Sequence, residues 1–271
     1  MLEWMSPAWA QLRTAFGTAE QVPILLDHLS VQFELEVFRE LAELLMHQYT
    51  IYGATLAAVP HLLQLANTLD AHPTAQVDIY IQCGMIEAMF AGSGAWMTEV
   101  IGDVTPMQWQ RIIADYRLGL EQASTLHDKV LAYAQQHIES EYELDYILAA
   151  YCAYHGHDRL ARLLIHYPGG DEYVGVCPQC DGEWFIDDLD GDVMRLHGTD
   201  PVLYPGNAGI TITPIALGLT DTYGFHDLQQ AAHRIEADSL LARLSYLNGN
   251  VLCPHCHNSV SVIGGLFKEV G

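Results

Sequence analysis

Val31-Gln-Phe-Glu-Leu-Glu-Val-Phe-Arg-Glu-Leu-Ala-Glu-Leu-Leu-Met-His-Gln48 decides the class of the fold. Val31, Leu35, Phe38, Leu41, Ala42 and Leu45 recur at helical spacing, with Glu34, Glu36, Glu40 and Glu43 between them. The pattern predicts an amphipathic helix with one apolar stripe and one acidic face. Such a stripe needs neighbours, and the flanking sequence supplies them. Upstream, Ser6 before Pro7 reads as an N-cap with proline at the first helical position, and Gly17 as a stop. Downstream, a break at Tyr52 and Gly53 leads into Ala54 to Leu69, apolar all round as in a helix packed between others, with Pro60 expected to bend it.

The punctuation continues. A helix over Thr74 to Phe90 ends at Gly92-Ser-Gly94, and Thr105-Pro106-Met107-Gln108 is a capping box opening the next. That pattern runs to about Ile138 with a break near Gly119 or Ser124. Ser140-Glu-Tyr-Glu143 then opens a helix to about Tyr154, and His157 to His166 forms a last short one before Pro168-Gly-Gly170. Helical hairpins of roughly 35 to 45 residues in a row predict stacked α-solenoid packing.

The stretch Leu44-Leu-Met-His-Gln-Tyr-Thr-Ile-Tyr-Gly-Ala-Thr-Leu-Ala-Ala-Val-Pro-His-Leu-Leu-Gln-Leu-Ala66, an aromatic-rich turn running into an Ala-Val-Pro-x-Leu-Leu helix, resembles the first hairpin of bacterial HEAT-repeat-like proteins. The resemblance extends over residues 1–167, with its specific part in this stretch. It implies an interaction scaffold and, among similar small acidic proteins, an immunity protein that neutralises a toxin. No catalytic motif comes with it.

Composition changes at Pro168. Beyond it lie short β-like runs, Tyr173 to Val176, Glu183 to Ile186, Val193 to Leu196, Ile210 to Ile215 and Val260 to Ile263, interrupted by one helix over His226 to Leu247. The expected architecture is therefore mainly α: a HEAT-like solenoid over 1–167 followed by a small α+β domain over 168–271.

Cys177-Pro-Gln-Cys180 and Cys253-Pro-His-Cys256 supply four thiolates, the complete tetrahedral shell of one structural Zn²⁺. Zinc ribbons usually separate such pairs by about 15 to 20 residues, whereas residues 181–252 intervene here as a long insertion. Four thiolates also suit iron. A filled shell leaves no position for activating water, so a zinc hydrolase is not expected. The second pair resembles the active-site sequence of periplasmic disulfide oxidants, but those place the first cysteine at a helix N-terminus, and the β-branched, Gly-rich run after Cys256 predicts no helix. His255 and His257 are not needed as ligands. Cys83 and Cys152 sit in apolar helical patterns, where a free cysteine behaves as a small hydrophobe.

Among the 271 residues, 34 acidic against 11 basic side chains give a net charge of −23. That field repels phosphate backbones and anionic lipid, so neither nucleic acid nor membrane is an expected partner. Only Arg195, Arg234, Arg243 and Lys268 lie beyond residue 168, too few for a nucleic-acid-binding ribbon. No apolar run reaches membrane-spanning length, and Met1 to Pro7 lacks signal-peptide character, so a cytoplasmic address is expected. Glu183, Asp187, Asp188, Asp190 and Asp192, close in sequence with no compensating base, are the candidate contacts for a basic protein. Asp188-Leu-Asp190-Gly-Asp192 fails as an EF-hand, with Val193 at the sixth position and Thr199 at the twelfth. Glu139, Glu141, Glu143 and Asp145 read as helix-start acids that favour the macrodipole. His155 and His157 bracket a glycine at a turn, and no His-Glu-x-x-His, Gly-x-Ser-x-Gly or phosphate-cradling motif occurs. The expectation is a non-enzymatic immunity or antitoxin-type protein occluding a basic effector such as a nuclease, with a HEAT-like scaffold or adaptor as the alternative.

Overall fold

A computed structural model describes residues 1–92, 98–170, 172–187, 193–206, 208–217 and 223–271. Over these residues the chain is mainly helical, with a few small antiparallel sheets. It divides into two compact units, Met1–Tyr133 and Ala134–Gly271. None of its described helices is long and apolar enough to cross a membrane.

In the first unit a 3-10 turn over Pro7–Gln11 begins at Ser6, whose hydroxyl accepts from the Ala8 amide. The strands β1 (Arg13–Thr14) and β2 (Gly17–Thr18) form a hairpin, followed by α1 (Val22–Val31) and α2 (Leu35–Leu45). The α2 stripe buries Phe38, Leu41 and Leu45, whereas Val31, expected at its head, is 84 % exposed at the end of α1, and Leu35 is also exposed. It ends sooner than Gln48, because Met46–His47 (β3) turns back on Thr50–Ile51 (β4) through Gln48 and Tyr49, both at positive φ, 49° and 60°. The helix α3 (Gly53–Thr68) follows, with Ala54, Leu56, Val59, Leu62 and Leu63 all fully buried. It runs through Pro60, and the close approach of α6 (Pro106–Glu121) is met by a glycine: a Cβ on Gly119 would lie 2.9 Å from the Pro60 Cα. Between them come α4 (Pro73–Gly92) and α5 (Thr98–Ile101). Thr105 and Gln108 make the reciprocal capping box at the start of α6. The break before α7 (Ser124–His137) falls after Glu121.

The second unit begins inside α7, so α8 (Glu141–Tyr154) and α9 (Asp158–His166) belong with the cysteine-bearing segment and not with a domain ending at 167. Packing explains the shift: α9 lies against α12 (Val262–Val270), and α8 against α10 (Phe225–Arg234). These long-range contacts outweigh the change of composition at Pro168. The strands β5 (Glu172–Val176), β6 (Glu183–Asp187), β7 (Arg195–His197) and β8 (Ile210–Thr211) form an antiparallel meander in that order. After α10 the expected single helix breaks at Glu236, φ 58°, and resumes as α11 (Asp238–Leu247). The strands β9 (Asn250–Leu252) and β10 (Ser259–Ser261) close a second hairpin, and Val262, expected in a strand, instead opens α12 under a Ser261 cap. Trp184, fully buried, lies between Gly175 of β5 and Gly265 of α12, where added Cβ atoms would come within 2.5 and 2.1 Å of its ring.

Candidate metal centre

Each Cys-Pro-x-Cys pair is the turn of a hairpin. Val176 faces Glu183 across the first, and Leu252 faces Ser259 across the second. The two turns repeat the same backbone pattern. The Cys177 amide donates to the Gly182 carbonyl (2.9 Å) and the Asp181 amide to the Cys177 carbonyl (3.2 Å). Likewise the Cys253 amide donates to the Asn258 carbonyl (2.9 Å) and the His257 amide to the Cys253 carbonyl (2.9 Å). In both, the residue after the second cysteine is left-handed, Asp181 at φ 59° and His257 at φ 58°.

The four sulfurs meet from the two turns. All lie within 4.8 Å of one another, with Cys177 Sγ to Cys256 Sγ 3.9 Å and Cys180 Sγ to Cys253 Sγ 3.8 Å. A tetrahedral ion with metal–sulfur bonds of about 2.3 Å requires sulfur–sulfur edges of about 3.8 Å. These residues therefore fit a metal ion. Cys177 and Cys253 are fully buried, Cys180 exposed and Cys256 half-buried, so one knuckle cysteine of each pair faces the core and the other the surface.

The thiols' electrostatics agree with that reading. A hydrogen bond from the Gly182 amide favours a Cys180 thiolate, but desolvation and the three other cysteines outweigh it and push the thiol up to about 12. Burial also raises Cys253. Cys256 goes the other way, held down to about 7 chiefly by the Asn258 amide. Four sulfurs this close cannot all ionise without a cation among them, and a bound divalent ion would supply it.

The surrounding residues brace the turns. His255 meets the Glu183 carbonyl through Nε2 at 2.7 Å, joining the second turn to β6. It stands outside the group of sulfurs, as does His257. Lys268 of α12 donates to the Cys177 carbonyl (3.4 Å) and to Asp181 Oδ1. A helix does follow the second pair, contrary to the sequence reading, but α12 starts at Val262, well past Cys256. Neither cysteine of that pair sits at its N-terminus, so the disulfide-exchange arrangement is still missing.

The acidic run divides. Glu183 is exposed at the start of β6, whereas Asp187 at its end is buried, 5 % exposed, with Oδ1 3.2 Å from His197 Nε2. Asp187 is thus corrected from a surface contact to an internal one, its carboxylate buried against His197 of β7. Asp188, Asp190 and Asp192 lie outside the described residues. Asp145, read as a helix-start acid, is also buried and meets Arg243 NH2 at 3.4 Å. Its place beside Leu144, Ile147 and Leu148 on the buried side of α8 was the available signal.

No family model, curated protein or solved structure matches the chain.

Proposed function

We propose that the chain is a non-catalytic binding protein of the immunity or antitoxin type, which neutralises a basic toxic effector such as a nuclease by covering it. The observation that carries this reading is the distribution of charge. Before Ala134 there are 15 acidic and 5 basic residues and from it onward 19 and 6, so both units are strongly negative, −10 and −13 of the total −23. An effector that grips nucleic acid presents a positive groove, and carboxylates in the place of phosphates would speed encounter and block that groove. The helix pairs of the first unit, with α3 covered by α1, α4 and α6, are consistent with HEAT-like stacking.

In this reading the four cysteines hold one structural zinc. Cys177, Cys180, Cys253 and Cys256 are all its ligands, so the ion joins two hairpins and activates no water. A reducing, cytoplasmic setting suits the remaining thiols, Cys83 and Cys152, which are buried and raised by burial. Glu183 is the described member of the acidic run that stays available for contact.

The test is co-expression with the product of the neighbouring open reading frame and purification at low and high salt. A basic partner whose association slows as salt rises is expected. A partner that is acidic, or one that binds with salt-independent kinetics, would remove the electrostatic basis of the reading.

A further inference from the structure

Sulfur contacts in the cysteine cluster run from turn to turn and from surface to core. Half-buried Cys256 lies 3.9 Å from fully buried Cys177, and exposed Cys180 lies 3.8 Å from fully buried Cys253. Each contact thus sets one sulfur that a small solute can reach against one that it cannot. The remaining cysteines do not compete, since Cys83 in α4 and Cys152 in α8 are fully buried.

The two turns are also held face to face by groups other than the sulfurs. His255 meets the Glu183 carbonyl at 2.7 Å, and its ring lies over Gly182 so closely that an added Cβ there would clash with it. A Cβ added to Gly198, just after β7, would lie 3.0 Å from the Pro254 side chain. These contacts keep the cross-turn sulfurs opposed whether or not an ion sits between them. From 3.8–3.9 Å, each sulfur has to advance by only about 0.9 Å to reach the ~2.05 Å of a disulfide.

Thiolate oxidation follows thiolate character and exposure, and a sulfenic acid condenses with a neighbouring thiol. Building on the four-ligand metal reading of the site, we propose that the cluster is a modification site for a peroxide-class oxidant. Oxidation there replaces the metal clamp by two disulfides across the turns, Cys177–Cys256 and Cys180–Cys253. Hydrogen peroxide gives one oxygen to the Cys180 or Cys256 thiolate; its O–O bond breaks and hydroxide leaves. The facing buried thiolate attacks the resulting sulfenic sulfur and expels a second hydroxide. Two sulfurs have then lost two electrons to one peroxide, and a second peroxide closes the second bond. With its thiolates consumed, the site gives up its ion. The hairpins nevertheless stay tied, whereas bonds inside each pair, Cys177–Cys180 and Cys253–Cys256, would part them.

Peroxide treatment of the zinc-loaded full chain with a colorimetric zinc indicator, followed by tryptic digestion without reduction, tests this. Cleavage after Arg162 and Arg195 leaves the first pair in Leu163–Arg195, and cleavage after Arg243 and Lys268 leaves the second in Leu244–Lys268. One zinc should be released per chain, the two peptides should appear joined, and fragmentation should assign Cys177 to Cys256 and Cys180 to Cys253. The helical signal should persist, and dithiothreitol with added zinc should restore the loaded state. A chain that binds no metal before treatment overturns the metal reading and this proposal with it. A loaded chain that keeps its zinc under excess peroxide, or loses it with each disulfide inside a single peptide, overturns this proposal alone.

Discussion

Asp181 and His257 hold the same left-handed backbone conformation, φ 59° and 58°, at equivalent places in two copies of one turn. The conformation brings the next residue's amide to the outer cysteine of each pair: Gly182 to Cys180, and Asn258 to Cys256. A non-glycine residue pays about 1–2 kcal/mol for it. His257→Gly should therefore leave the metal-loaded protein as stable or slightly more so, while β-branched His257→Val should cost about 2 kcal/mol. Denaturant unfolding checks both. Equal losses would mean that the imidazole, not the backbone, is what matters there.

The metal should be stoichiometric and structural. Elemental analysis is expected to find one ion per chain, and thiol titration of native protein to find all six cysteines protected, four by metal and Cys83 and Cys152 by burial. A chelator should release four thiols and loosen the Ala134–Gly271 unit while the Met1–Tyr133 unit keeps its helical signal. Cys253→Ser should reproduce that state. A metal-free protein with a single fast-reacting thiol would contradict the arrangement.

Arg243 and Asp145 form a pair whose side chains are 4 % and 2 % exposed. Removing one partner strands the other charge, so Arg243→Met is expected to destabilise the second unit by about 3–5 kcal/mol. Adding Asp145→Leu should recover much of the loss, because two apolar groups leave nothing unpaired. Failure of the double variant to improve on the single one would show that Tyr173 and Ser239, the other Arg243 partners, carry the effect.

His157 Nε2 lies 2.8 Å from Asp227 Oδ2, and this hydrogen bond holds the Asp227 carboxyl below the usual carboxylate range. A depressed folded value means that the native state binds fewer protons than the unfolded chain. The stabilisation is then present above the ordinary carboxylate range and lost as pH falls through the depressed value. Both side chains are partly exposed, at 22 % and 40 %, so screening keeps the effect below about 1 kcal/mol. Wild type should exceed Asp227→Asn in thermal stability at neutral pH, and the gap should close in acid. A gap that persists in acid would assign the contact to packing.

Signals that act over a few residues were legible in the sequence. The Thr105–Gln108 box, the Ser140 cap and the two cysteine turns all depend on neighbours in the chain, and each has its expected geometry. Features set by distant partners were not. The run after Val260 is β-branched and rich in glycine, yet Val262 opens a helix because Ser261 caps it and Gly265 must pass close to the Trp184 ring. Apolar spacing carries through Ile235 and Ala237 without showing the turn at Glu236. The unit boundary moved for the same reason, since only the folded chain covers α8 and α9 with α10 and α12. Asp187 and Asp145 look like solvent-facing acids until His197 and Arg243 are brought to them.

The two hairpins that share the sulfurs are made far apart in time. Cys253 follows Cys180 by 73 residues, about 4–15 s of synthesis at ~5–20 residues per second. Through that interval the first turn offers two thiols and no second pair to complete a tetrahedron. A truncated chain can hold an ion only weakly there, and one ending before Cys256 never closes the site. An ion held by all four sulfurs would therefore be captured late, by chains in which β6, β7, β8, α10 and α11 have all been made and have returned β9 and β10 to where the synthesis of β5 left off.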